Sequence, residues 1–444
     1  MAQTNKSRRD FLKGVAAAGA FNIIPAKVLW GAEAPSNQIT RALLGFGEIA
    51  HCQYHLGYKG SRLIALCDVD ERRVKDGLWC AEQAGWGRVR TCHDFREILA
   101  MPDVDVVHVC TPPHWHGCMS VMAAKAGKDV WDEKPMTRTI YEARRVRDVI
   151  KETKRMFRIN TNFRVTDHRF YGFGTPVKPV KQVCDSGMLG GPLTAIVGEG
   201  QGFTLKFNWS GLVNAQPEKV PEGFDWDMWL GPAPYKPYHP YRTHATFRGY
   251  WDYDAGGLGD MAQHYLDPVQ YMFGKDDETP VRVDYVGPKQ HPEVVGAFDR
   301  ITLTYADGTR IILDGNESLK DEPYIRGPKG AIYKVPKKGA ECFRLVDANG
   351  KELDTKKVLA GLPEPKPMIT DFMESVRTRK PFGLNEDKSF RSSTLVQLSA
   401  VAMRLGRGFD FDPVNFWAID DEAANRYIRQ PMREPWAKEM FGEG

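Results

Sequence analysis

Short apolar runs alternate with longer amphipathic stretches through the N-terminal third of the chain. Residues 39–44 form an apolar run ending at Gly45, and a helix-like stretch follows. Residues 62–67 form a second run closed by Asp68, before a helical pattern over 70–84. A third strand is predicted at 104–110, closed by Thr111-Pro112, then a helix over 116–126 with Gly127 as its C-cap. Residues 129–132 read as a fourth strand running into Glu133-Lys134-Pro135, and 139–153 as another helix. This alternation predicts an α/β, doubly wound parallel sheet. The pattern changes near residue 158. Residues 205–253 are rich in Trp, Tyr, Pro and Gly; 280–287, 298–306 and 308–314 alternate like antiparallel strands, with Asp307-Gly308 as a hairpin turn. Residues 367–379 and 389–405 read as helices. The expected organisation is a first domain over 35–158 and a second, α+β domain over 159–444. The second carries a large, mostly antiparallel open sheet, and its late helices pack back on the first.

The length of 444 residues suits two domains, and 42% hydrophobic with 27% charged residues is an ordinary globular balance. No apolar run beyond residue 35 reaches the ~20 residues that span a bilayer. The formal charge of +4 is concentrated at the N-terminus, where Lys6, Arg8, Arg9, Lys13 and Lys27 face only Asp10 and Glu33. The rest is nearly neutral, which argues against a nucleic-acid partner. Residues 1–34 read as an address. Ser7-Arg8-Arg9-Asp10-Phe11-Leu12-Lys13 has the twin-arginine pattern, a mildly apolar stretch follows, and Ala32-Glu33-Ala34 is a cleavage site. With no cysteine near that site, no lipid anchor is expected. The reading is export by the twin-arginine machinery to the periplasm or another extracytoplasmic space, with no stable membrane anchor. That route carries folded proteins, so a cofactor is loadable in the cytoplasm. The eight cysteines show neither a C-x-x-C pair nor zinc spacing and read as buried free thiols.

Gly45-Phe46-Gly47-Glu48-Ile49-Ala50 is G-x-G-x-x-A at a strand end. Gly45 permits the tight turn, Gly47 lets backbone approach a pyrophosphate, and Glu48 and Ile49 continue the loop. The motif alone is weak. A preceding strand and Asp68, about 20 residues on at the end of the next strand, strengthen it as a Rossmann dinucleotide site. A carboxylate there accepts ribose hydroxyls and repels a 2′-phosphate, so NAD is preferred. Arg72 and Arg73 keep NADP open.

Three further segments carry a family resemblance: Thr111-Pro112-Pro113-His114-Trp115-His116, the run 127–135 ending in Glu133-Lys134-Pro135, and Gly256-Gly257-Leu258-Gly259-Asp260-Met261-Ala262-Gln263-His264. Together with the first turn they resemble the Gfo/Idh/MocA oxidoreductases, over nearly all of the chain past the signal. The resemblance implies that Thr111, Pro112 and His116 line the nicotinamide side of the cofactor and that Glu133 touches its ribose region. It implies that Lys134 sits beside the nicotinamide and the reacting hydroxyl, with Asp260 and His264 completing a catalytic triad. It places Asn162 and Arg164 near substrate, and implies a homo-oligomer.

Elementary chemistry supports the triad. Oxidising an alcohol requires a base within reach of the hydroxyl. Asp260 and His264 are i and i+4, on one helix face, and His264 titrates near neutrality. Lys134 can stabilise alkoxide charge or relay the proton, so the choice of acceptor between Lys134 and His264 stays open. Lys134 also reads as a strand-end surface lysine, and His264 as a core histidine. An Asp/His pair suits a metal too, but no third ligand stands at a telling spacing, so no metal is expected. Trp251 is the aromatic candidate for stacking on a sugar, and Arg248 a weaker candidate for substrate hydroxyls. The expected activity is NAD(P)-dependent oxidoreduction of a secondary hydroxyl on a sugar, glycoside or cyclitol, with a tightly held, recycled cofactor. The alternatives are an NAD-dependent glycoside hydrolase and a non-catalytic sugar-binding protein.

Overall fold

A computed structural model describes residues 38–51, 57–161, 164, 177–203, 211–335 and 343–442. The N-terminal address and Asn162 therefore lie outside the described residues. Six parallel strands form the first sheet in the order β3-β2-β1-β4-β5-β6. They are β1 (Ile39–Leu44), β2 (Ser61–Cys67), β3 (Arg90–Cys92), β4 (Val106–Val109), β5 (Asp129–Asp132) and β6 (Phe157–Ile159). β4 and β5 are buried at every position, as expected for strands covered on both faces. Between them run α1 (Glu71–Gln83), α2 (Phe95–Leu99), α3 (Pro113–Lys125) and α4 (Ile140–Thr153).

Strand order reverses between β1 and β4, and the crevice beyond their C-terminal ends is where such sheets bind ligands. The turn after β1 is tied on both sides: Gly45 N donates to Cys67 O at 2.8 Å, and Cys110 N donates to Leu44 O at 2.7 Å. One local expectation shifts: α3 begins at Pro113 rather than 116, because Pro113 supplies a helix-ready φ where no N–H is needed. After Gly47 the chain enters a 3-10 turn, Glu48–His51, and residues 52–56 of the helix-like stretch lie outside the described residues.

The second sheet has nine strands in the order β13-β12-β11-β7-β10-β9-β8-β14-β15. They are β7 (Thr194–Gly198), β8 (Arg282–Val286), β9 (Arg300–Thr304), β10 (Arg310–Asp314), β11 (Ile325–Gly327), β12 (Gly330–Lys334), β13 (Phe343–Asp347), β14 (Phe409–Asp412) and β15 (Trp417–Ala418). Only β7 and β10 pair in parallel; the other pairings are antiparallel. β9 and β10 join through Asp307-Gly308, where Gly308 has φ +84°. Alternating burial along β8 and β9 leaves one face of the sheet outward.

The remaining helices are α5 (Val177–Asp185), α6 (Trp226–Leu230), α7 (Gly256–Met272), α8 (Thr355–Ala360), α9 (Phe372–Thr378), α10 (Glu386–Leu405), α11 (Glu422–Ile428) and α12 (Trp436–Phe441). α10 packs against α7 on one side and α4 on the other, and α12 packs on α3. One continuous hydrophobic core thus joins the sheets and fixes α7 relative to the end of β5. Among the described residues no helix is long and apolar enough to cross a membrane.

Candidate active site

A cleft opens over the strand ends at the switch point. Gly45, Gly47, Glu48, Ile49, Asp68, Thr111, Pro112, Glu133 and Lys134 all line it, together with Asp260. The two turn glycines are required for different reasons. Gly45 has φ +86°, and a Cβ there would lie 3.0 Å from Thr111 Cγ2 and 3.1 Å from the Cys110 carbonyl. A Cβ on Gly47 would meet nothing within 4 Å, because it would project into open space. A bound pyrophosphate needs that space, so the cradle fits a dinucleotide. Gly47→Val is accordingly expected to leave the melting temperature nearly unchanged and abolish dinucleotide binding in calorimetric titration. Gly45→Val should lose both binding and about 1–3 kcal/mol of stability through backbone strain. Equal stability losses in the two variants would contradict this assignment.

Asp68 braces the turn as well as lining the cleft. Its carboxylate accepts from Phe46 N at 2.6 Å and from Asp70 N at 2.9 Å. Each oxygen keeps a further lone pair for a ribose hydroxyl. Glu133 is held by Asn160 Nδ2 at 2.7 Å and His108 Nε2 at 3.0 Å. Burial pushes its carboxyl up to about 8, against the opposing charges of Lys134 and Arg158. Among the described residues, His108, Cys110 and Glu133 bring possible metal-ligand atoms within 4.8 Å of one another. Their hydrogen bonding points elsewhere. Arg41 Nη1, which can only donate, lies 3.4 Å from His108 Nδ1, so Nε2 carries the proton given to Glu133 and is not a ligand.

The reactive centre joins the end of β5 to the first turns of α7. Lys134 Nζ donates to Asp260 Oδ1 at 2.9 Å and also to the Asp260 carbonyl oxygen. Arg248 Nε reaches the same Oδ1 at 2.9 Å. Burial raises the Asp260 carboxyl, but the two cations outweigh it and hold it well below the usual carboxylate range. Beside it, Asp254 is only 6% exposed, and burial plus the Asp260 charge push it up to about 7. The Asp254 carboxylate occupies the space over Gly259, where a Cβ would lie 1.9 Å from Oδ1. This explains the glycine immediately before Asp260. His264, one turn along α7, has Nδ1 2.9 Å from Thr161 Oγ1. Burial and the Lys134 charge pull it down to about 3, so its imidazole is neutral at physiological pH.

Three residues expected at the site do other work. His116 is buried away from the cleft, with ring nitrogens 2.7 Å from both the Thr111 and Pro135 carbonyl oxygens. It ties the loop after β4 to the residue after Lys134. Arg164 faces neither cofactor nor substrate space. Its fully buried guanidinium makes two contacts with the Asp267 carboxylate, at 3.0 and 2.8 Å, and one with Asp276 at 2.6 Å. Trp251 is 3% exposed, donates to His291 O at 3.1 Å, lies beneath the Arg404 guanidinium, and lines a separate hollow. Sequence reasoning missed Asp254, His108 and Asn160. Arg248, the weaker candidate for substrate hydroxyls, lines the cleft and is also the second counter-ion of Asp260.

Three buried histidines are expected to stay neutral well into acid. His114 and His264 are pulled down to about 3 and His116 to about 4, chiefly by burial. The unfolded chain binds their protons near pH 6.5 while the folded protein does not, so each contributes a loss of stability as pH drops below that value, roughly 1.4 kcal/mol per pH unit until its folded pKa is reached. Glu133 and Asp254, pushed up to about 8 and 7, act in the opposite direction, because the folded protein holds protons that the unfolded carboxylates release above about pH 4. The histidines are therefore checked one by one: their ring-proton chemical shifts should not titrate between pH 7 and 5, and a midpoint near 6.5 would remove the assignment.

Comparisons with known proteins show the family of both domains. Residues 39–161 match the oxidoreductase family's NAD-binding Rossmann fold, and residues 173–438 match its C-terminal alpha/beta domain. The chain is 26% identical over 250 residues to levoglucosan dehydrogenase of Pseudarthrobacter phenanthrenivorans, covering 56% of this chain and 53% of that protein. It is 29% identical over 186 residues to a glycosyl hydrolase family 109 protein of Shewanella baltica, covering 36% and 40%. The chain thus spans about half the length or less of these curated relatives. An oxidoreductase from Agrobacterium radiobacter, solved with NAD+, L-tartaric acid and magnesium, superposes with TM-score 0.54 at 20% identity, over 84% of this chain and 98% of that one. With both domains matched and the Gly45–Asp68 cradle and Lys134–Asp260 pair in one cleft, the chain belongs to the Gfo/Idh/MocA family of NAD-binding oxidoreductases.

Proposed function

We propose that this protein oxidises a secondary hydroxyl of a sugar, glycoside or cyclitol, and that after twin-arginine export it works with a retained, recycled cofactor. The observation that carries the reading is the Lys134–Asp260–Arg248 cluster in the dinucleotide cleft. The cleft lined by Gly45, Gly47 and Asp68 would hold NAD, which would supply the hydride acceptor for the carbinol carbon and, once reduced, a hydride donor for a second carbonyl compound. The chain's residues handle the proton. Lys134 spends two of its three N–H groups on Asp260, and the third is directed to the substrate oxygen, where it stabilises developing alkoxide charge. Asp260 fixes the lysine, and Arg248 keeps Asp260 ionised. The hydroxyl proton passes to His264, one turn along α7, or to Lys134 itself. Export supplies the reason for recycling: free NAD is not expected outside the cytoplasm, so a cofactor loaded before export has to be regenerated in place.

The alignment with a glycosyl hydrolase family 109 protein favours one second reading, hydrolysis of a glycoside through transient oxidation. A panel of free sugars, cyclitols and aryl glycosides separates the two. Oxidised sugar formed with equivalent reduction of a second carbonyl compound supports oxidoreduction. Aglycone release with no net redox change supports the hydrolase, and neither reaction across the panel would count against both.

A further inference from the structure

We propose that the second-domain segment from Gly223 to Arg248 is a strap that closes over the cofactor cleft and makes the dinucleotide slow to leave. This rests on the reading of that cleft as an NAD site. The strap is joined to the first domain at both ends of the cleft. At the ribose end it pairs with the chain after β2 through backbone hydrogen bonds: Asp225 N donates to Val69 O, and Glu71 N donates to Gly223 O, each at 2.9 Å. These bonds flank Asp70 and begin at the residue after Asp68. His93 Nε2 adds a contact to Asp225 Oδ2 at 3.0 Å. At the other end, the carbonyl of Trp229 lies 3.0 Å from Trp115 Nε1 and 2.9 Å from His114 Nε2. The fit there is close: a Cβ on Gly231 would lie 2.0 Å from the Trp115 ring.

Between these anchors Phe224, Trp229, His244 and Phe247 line the same cleft as Gly47, Asp68 and Thr111. A dinucleotide in the cleft therefore has the strand ends of the first domain on one side and the strap on the other. The strap also has its own aromatic cluster, distinct from the main core, in which Trp226 stacks on Trp229 at 4.9 Å and Phe224 packs near Tyr238. It can thus move as a unit, and opening it breaks the bonds to the chain after β2 together with the buried contacts of Trp229 to Trp115 and His114, so opening is slow. A ligand under such an element leaves only when the element opens, which lowers its dissociation rate. Retention is what a recycled cofactor in an exported enzyme requires.

A variant outside the cleft tests this. Arg433 holds the strap from its outer side, through Asp227 Oδ1 at 2.5 Å, Asp227 O at 2.7 Å and Gly231 O at 2.9 Å, and does not line the cleft. Full-length protein is loaded with NADH, and its release into excess NAD is followed by fluorescence. Arg433→Ala is expected to release NADH about tenfold faster than the parent, beyond any change in melting temperature. In the parent protein, which depends on no variant's folding, NAD should also slow hydrogen exchange at the amides of Glu71 and Asp225. Unchanged release in Arg433→Ala, or no gain of protection at those amides on NAD binding, overturns the strap while leaving the redox reading intact. A parent protein that binds neither NAD nor NADH overturns both.

Discussion

Replacing Lys134 with methionine is expected to lower turnover of the sugar or cyclitol substrate by roughly 10³-fold or more, with dinucleotide affinity changed only slightly. Methionine keeps the length of the side chain and removes the N–H groups. Asp260 loses one of its two cations but keeps Arg248 on Oδ1 at 2.9 Å, so the first turns of α7 retain their anchor. The loss therefore falls on charge developing at the substrate oxygen, and appears in kcat rather than KM. Lys134→Arg should rescue little, because a planar guanidinium cannot reproduce two bonds to Asp260 and a third to substrate from one nitrogen. Full activity in Lys134→Met would remove the lysine from the chemistry.

The largest effect on stability is expected at Arg164. Its side chain is fully buried and divides its guanidinium between Asp267 and Asp276. Arg164→Ala strands two carboxylates, one of them fully buried, and should cost about 3–5 kcal/mol in urea unfolding. Arg164→Lys should recover only part, since an ammonium lacks the bidentate geometry that Asp267 meets. Adding Asp267→Asn to Arg164→Ala should be less damaging than the sum of the two single changes, because it removes one of the stranded charges. A substrate-binding arginine would behave differently, raising KM with little effect on unfolding. That pattern would restore the role first inferred from its position.

These two residues also mark what the sequence discloses. β1 and β5 fall where the sequence places them, although each buries charged residues, Arg41 in β1 and Asp129 and Asp132 in β5. β3 and β6, at three residues each, are too short to show any period and were not predicted. Gly45, Gly47, Asp68 and Lys134 are legible because backbone geometry and chain position dictate them. His116, Arg164 and Trp251 are polar or amphipathic residues in the right neighbourhood, and only tertiary packing decides which way such side chains face. Their partners Pro135, Asp267, Asp276 and His291 cannot be read from local pattern. Asp254 leaves one local trace, the glycine at 259, whose reason is clear only when the carboxylate is seen above it. The aromatics of 223–253 have no helical or strand period, so nothing in the sequence distinguishes a strap over the cleft from loop packing.

The account stands or falls on whether the cleft holds a dinucleotide. The direct measurement is to purify the mature protein from the exported fraction without added nucleotide, denature it, and identify released small molecules by mass spectrometry. The account predicts near-stoichiometric NAD. A protein that releases no dinucleotide and binds neither added NAD nor added NADP would contradict it.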